Sequence, residues 1–125
     1  MTENQIAKLI FDLSLQIHKQ YGPGLFESVY EEILCFELSK YDVDFKRQRG
    51  IPVIHESIRL DDGFRADIII ENKVIIELKS VEKLSEIHHK QVLTYLKLSG
   101  CKLGLLINFN VVLLKDGFHR IVNGL

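Results

Sequence analysis

The chain has no tryptophan and only two cysteines in 125 residues, and its 16 basic and 17 acidic side chains nearly cancel, leaving a formal net charge of −1. Each shortage excludes something. Without tryptophan there is no aromatic-lined cleft for sugars, so a two-carboxylate glycosidase using Glu27 and Glu77 ranks low, although that chemistry asks only for paired acids. Cys35 and Cys101 lie far apart with no metal-ligand spacing, and His18, His55, His88, His89 and His119 show none either. The adjacent His88 and His89 cannot face the same way on a helix, and solvent exposure is expected of them rather than metal binding. No segment resembles a signal peptide or a membrane span, so a reduced, cytoplasmic protein without membrane contact is the simplest expectation. The balanced charge gives no global field to draw in a polyanion. Nucleic-acid binding would have to come from a local patch.

What is present is a chain 46% hydrophobic, long enough to bury roughly two thirds of its unfolded surface as one domain over residues 1–125. Thr2-Glu3-Asn4-Gln5 has the form of a capping box, and Ile6, Leu9, Ile10, Leu13 and Ile17 follow at helical spacing. Gly22-Pro23-Gly24 should stop that helix near Tyr21. A second helix is expected over Leu25–Lys40, with Glu27, Tyr30, Leu34 and Leu38 on one face. Glu27 then points with an apolar stripe, although a first-turn carboxylate is also favoured by the helix dipole alone.

Val43 to Leu60 reads as one or two strands with an irregularity at Gly50 to Pro52. Its basic run, Lys46-Arg47-Gln48-Arg49, fits phosphate contact or a charged edge strand equally well. Asp61-Asp62-Gly63 reads as a turn. Ser85 can cap a third helix over Glu86–Ser99 that Gly100 ends, with His88, Gln91, Tyr95 and Leu98 along one face. Lys102–Asn108, Val111–Lys115 and Phe118–Val122 read as further strands. The expected class is α/β, a mixed sheet flanked by helices.

The stretch that demands an explanation is Arg65 to Ser80, where charges interrupt two apolar strands. Side chains alternate along a strand, so Ile75, Glu77 and Lys79 share one face while Val74, Ile76 and Leu78 share the other. If Glu71-Asn72-Lys73 closes a three-residue loop, Ile70 pairs with Val74 and Asp67 falls opposite Glu77. Like charges at cross-strand distance destabilise a sheet, and a divalent cation would resolve the conflict. An ordinary lattice of surface ion pairs is the competing reading, and the apolar context weighs against it.

With these residues in place, Gly24-Leu25-Phe26-Glu27-Ser28-Val29-Tyr30 matches the signature of the GxxExxY protein family. Asp67, the Glu77-Leu78-Lys79 ExK element and Gln91-Val92-Leu93-Thr94-Tyr95, similar to the QxxxY motif of RecB-type nucleases, follow in order. Together they resemble the PD-(D/E)XK, or restriction-endonuclease-like, superfamily over nearly the whole chain. Ala66 stands where the superfamily name has proline, which leaves the carboxylate intact.

The resemblance implies a restriction-endonuclease-like core in the order α-α-β-β-β-α-β-β and Mg²⁺- or Mn²⁺-dependent cleavage of phosphodiester bonds in DNA, with RNA the lesser candidate. It implies metal ligation by Asp67, Glu77 and the Leu78 carbonyl, with Glu27 reaching the metal directly or through water. Lys79 would orient or deprotonate water or steady the phosphate, and Gln91 and Tyr95 would orient Lys79 or the phosphate. Phosphodiester hydrolysis asks an enzyme to remove on the order of 20 kcal/mol of barrier, which a lysine alone cannot do. A homodimer or a protein partner would extend the footprint of so short a chain. The alternative is a catalytically silent module that uses the same fold to bind nucleic acid or a protein.

Overall fold

Helix α1, Glu3–Tyr21, starts where the capping box lies: Gln5 N–H donates to Thr2 Oγ1 at 3.2 Å and Thr2 N–H to Gln5 Oε1 at 2.8 Å. It stops at Gly22, whose φ of 69° is costly for other residues. The computed structural model describes residues 1–125. Helix α2 covers Glu27–Leu38, shorter at both ends than expected. Leu25 and Phe26 stay outside it because the turn folds back onto Tyr30, whose hydroxyl donates to Gly22 O at 2.6 Å and accepts from Leu25 N–H at 3.2 Å. Tyr30 is fully buried and stacks on Phe109 at 4.2 Å between centroids, so this tyrosine fastens the turn before α2.

Strands β1, Phe45–His55, and β2, Ile58–Ile70, form a long antiparallel hairpin that reverses at Glu56 and Ser57. Asp61-Asp62-Gly63 is therefore not a turn. Those residues lie within β2 opposite Pro52, where the register passes from Ile51↔Phe64 to Val53↔Leu60. Proline has no N–H for the ladder, and β2 bulges past it. Gly63 permits this because a Cβ there would run into the Val53 side chain.

Strand β3, Val74–Lys79, pairs with β2 in the expected even register, Ile68↔Ile76, Ile69↔Ile75 and Ile70↔Val74. The loop closes with Glu71 and Asn72 in left-handed conformations and Lys73 N–H donating to Ile70 O at 2.9 Å. Helix α3, Glu86–Ser99, spans its expected residues and ends on left-handed Gly100. It carries the chain back to β4, Leu103–Asn108, which runs parallel to β3.

Val111–Lys115 is not a strand. Both edges of β4 are already taken, by β3 and by β5, Phe118–Val122, so the chain leaves the sheet to bury Phe109 and Leu114. It returns through a single helical turn, α4, at Leu114–Gly117. The order is thus α-α-β-β-β-α-β-α-β around one mixed sheet, β1-β2-β3-β4-β5, with only β3 and β4 parallel.

One face of that sheet, with Ile68, Ile70, Val74, Ile76 and Leu78, packs against α1 and α2. The other, with Ala66, Ile69 and Ile75, packs against α3 through Leu96 and Tyr95. Gly104 lets α3 approach, since a Cβ there would meet Val92. No helix is long and apolar enough to cross a membrane.

Candidate active site

The alternation along β3 sends Val74, Ile76 and Leu78 into the larger core and leaves Glu77 and Lys79 on the face of Ile75, toward α3. Pairing of β2 with β3 ends at Ile68↔Ile76, one step short of Asp67 and Glu77. Where the strands part, two N–H groups lose their carbonyl partners, and the carboxylates replace them. Asp67 N–H donates to Glu77 Oε1 at 3.2 Å, and Leu78 N–H donates to Asp67 Oδ2 at 2.8 Å. The fork thus brings the two acids together at the sheet's opening.

Their company is electrostatically costly. Burial pushes the Glu77 carboxyl up to about 8, the Asp67 charge adds to this, and the Asp67 amide and Lys79 only partly offset it. Asp67 is also raised, by burial first, against the opposing pull of the Leu78 amide. Two oxygen-donor side chains that cannot both ionise comfortably suit a hard divalent cation, which supplies the missing positive charge. No group of three or more His, Cys, Asp or Glu side chains is arranged to hold a metal, so Asp67 and Glu77 meet as a pair.

The other expected residues differ in how they meet this fork. Lys79 is half-buried on the Glu77 face, its ammonium makes no hydrogen bond or ion pair, and its charge lowers both acids. Tyr95 stacks on Phe64 with centroids 3.9 Å apart, and burial followed by Glu77 and Asp67 raises its hydroxyl. Gln91 is exposed on α3, and its side-chain amide hydrogen-bonds to no other group. Glu27 is exposed as well, but its Oε1 accepts from Ser80 N–H at 3.2 Å, and Ser80 Oγ donates to Leu25 O at 2.8 Å. The start of α2 is thereby latched to the residue after Lys79. Leu78 is buried and enters the site through its amide.

Three residues near the fork were not expected to support the acids: Glu31 went unread, and Arg47 and Gln48 were read only as part of a basic run. Glu31, one turn beyond Glu27, is 7% exposed and accepts from Arg47 at 2.8 Å and from Gln48 at 2.7 Å. Gln48 also donates to Asp67 Oδ1 at 3.2 Å. Arg47 binds Glu32 at 3.0 Å besides Glu31, and those acids hold it firmly charged. The basic run is therefore not a uniform phosphate-contacting strip, because its first arginine, Arg47, is already committed to α2. The i, i+4 spacing of Glu27 and Glu31 was the available signal for Glu31. Outside the fork, His88 and His89 are half-buried rather than exposed: His88 caps α3 through Ser85 N–H at 3.1 Å, and His89 packs against His119 with ring centroids 5.1 Å apart.

Comparison with known proteins gave a single kind of match. A family model described as the PD-(D/E)XK nuclease superfamily matches residues 4–121. No curated protein and no solved structure matched.

Proposed function

The chain belongs to the PD-(D/E)XK nuclease superfamily, and from that premise we propose that it is a Mg²⁺- or Mn²⁺-dependent, cytoplasmic nuclease that hydrolyses phosphodiester bonds of DNA, with RNA as the second candidate. The observation that carries this reading is the pairing of Asp67 and Glu77 at the β2/β3 fork with the unpaired Lys79 ammonium on the same face.

Asp67 and Glu77 are the proposed metal ligands, joined by the Leu78 carbonyl and by Glu27 directly or through water. A divalent cation bound there supplies polarisation of the phosphoryl oxygen and a lowered pKa for bound water. The Leu78 amide fixes the Asp67 carboxylate, and the Asp67 amide fixes that of Glu77. Lys79, with no competing protein partner, orients the attacking water or steadies charge on the phosphate. Tyr95 keeps its proton at neutral pH and can donate it in a hydrogen bond to a phosphate oxygen or to the Lys79 environment. Gln91, exposed on the same helix, is free to meet the substrate backbone.

Calorimetric titration of wild type and Asp67→Ala with Mg²⁺ and Mn²⁺, followed by a cleavage panel of single-stranded, duplex and branched DNA and RNA, tests the proposal. Metal binding lost with Asp67 and cleavage lost in Glu77→Ala and Lys79→Ala are expected. A folded protein that binds metal yet cleaves none of these substrates would overturn it.

One observation favours a second reading: only two acids meet, and no third His, Cys, Asp or Glu completes the set. On that reading the chain is a silent module that binds nucleic acid or a protein. Salt-dependent nucleic-acid binding that needs no metal and survives Asp67→Ala would select it.

A further inference from the structure

Like the bulged Asp61–Gly63, Asp67 is a position at which β2 lacks a ladder partner on both sides. Toward β3 the pairing stops at Ile68↔Ile76, and toward β1 it passes from Arg47↔Ile68 to Arg49↔Ala66 without pairing Gln48 to Asp67. Gln48 adopts a φ of 49°, the left-handed region that a long side chain enters only when its surroundings hold it there. What holds it is visible. Its Nε2 donates to Glu31 Oε1 at 2.7 Å and to Asp67 Oδ1 at 3.2 Å, so one amide group bridges α2 and β2.

Glu31 is itself fixed. Both Arg47 Nε, at 3.3 Å, and Arg47 Nη2, at 2.8 Å, donate to its Oε2, while its Oε1 is given to Gln48. The Glu31 carboxylate is buried and has both oxygens engaged, so it acts as a stationary acceptor. Asp67 has its own two oxygens divided in the same way, Oδ2 to Leu78 N–H and Oδ1 to Gln48.

We infer that Gln48, clamped by the Arg47–Glu31 pair, is a positioning residue that sets the orientation of the Asp67 carboxylate at the β2/β3 fork. The backbone strain at Gln48 is the local cost of aiming its amide at Asp67 rather than continuing the strand. Hydrogen-bonding partners of this kind typically change metal affinity 10- to 100-fold when removed. The metal part of this inference rests on the proposed cation site, whereas the orientation of Asp67 does not.

The test uses Gln48→Gly and Gln48→Asn. Glycine and asparagine tolerate the left-handed backbone, but glycine lacks the amide and asparagine is too short to span both partners. In the metal-free protein, amide hydrogen exchange should become faster at Leu78 in both variants and stay unchanged at Ile76 and Ile107. Mg²⁺ or Mn²⁺ affinity should fall by about ten-fold. Unchanged Leu78 exchange would overturn the inference, as would an equal acceleration at Leu78, Ile76 and Ile107, which would mark Gln48 as a stability contact only. If wild type binds no metal, the proposed function fails while Leu78 exchange still decides the role of Gln48.

Discussion

The amide of Asp67 donates to the carboxylate of Glu77 at 3.2 Å, at the step where strands β2 and β3 cease to pair. A side chain has taken the place of a carbonyl in the ladder. That substitution holds two acids together beside one lysine, and it makes the site's properties measurable without any substrate.

The first consequence is a stability profile. The Glu77 carboxyl titrates near 8 in the folded chain against an ordinary 4.5, so between those values the unfolded chain releases a proton that the folded chain retains. Stability from this group therefore declines as pH rises from about 4.5 to about 8. Glu77→Gln, which can still accept from the Asp67 amide, should remove the decline. Urea unfolding should show the variant more stable than wild type at pH 8, by on the order of 3 kcal/mol, and nearly equal at pH 4.5.

Divalent cations should reverse the same penalty. At a hundred-fold excess over its dissociation constant, a cation bound only to the folded state adds about 2.7 kcal/mol. Thermal unfolding with Mg²⁺ or Mn²⁺ should show this for wild type and not for Asp67→Ala. Because Glu77 must give up its proton, apparent affinity should increase as pH approaches 8, and calorimetry in buffers of different ionisation enthalpy should register the released proton.

Two glutamates one helical turn apart should behave differently. Glu31→Ala strips a buried acceptor from Arg47 and Gln48 and should cost about 1–3 kcal/mol in urea unfolding. Glu27→Ala loses one exposed contact to Ser80 and should leave stability close to wild type, so any fall in cleavage there reports on the site itself.

Tyr95 separates packing from chemistry. Tyr95→Phe keeps the stack on Phe64 and should unfold like wild type while cleaving more slowly. Tyr95→Ala empties a half-buried position and should lower the urea midpoint, by less than the about 3 kcal/mol or more of a full core truncation.

Some of the site was legible in residue order because strand geometry is local. Once Glu71-Asn72-Lys73 closes the loop, the two-residue period of β2 and β3 leaves Asp67 opposite Glu77 with no further information needed. The capping signals of α1 and α3 were equally local. Asp61-Asp62-Gly63 misled for a related reason: its composition suits a turn, but Pro52 on the neighbouring strand turned it into a bulge. Val111–Lys115 had strand-forming residues and found no free edge beside β4.

The sequence by itself determined the α/β class, the even register and the identity of the two acids, since each follows from periodicities that neighbouring residues enforce. Only the tertiary structure decided which residues support them. Gln48 reaches Asp67 across 19 positions and Glu31 across 17, and its left-handed backbone is favoured by nothing in its own residue type. Such a conformation persists because two elements distant in sequence, α2 and β2, supply acceptors that outweigh its local strain.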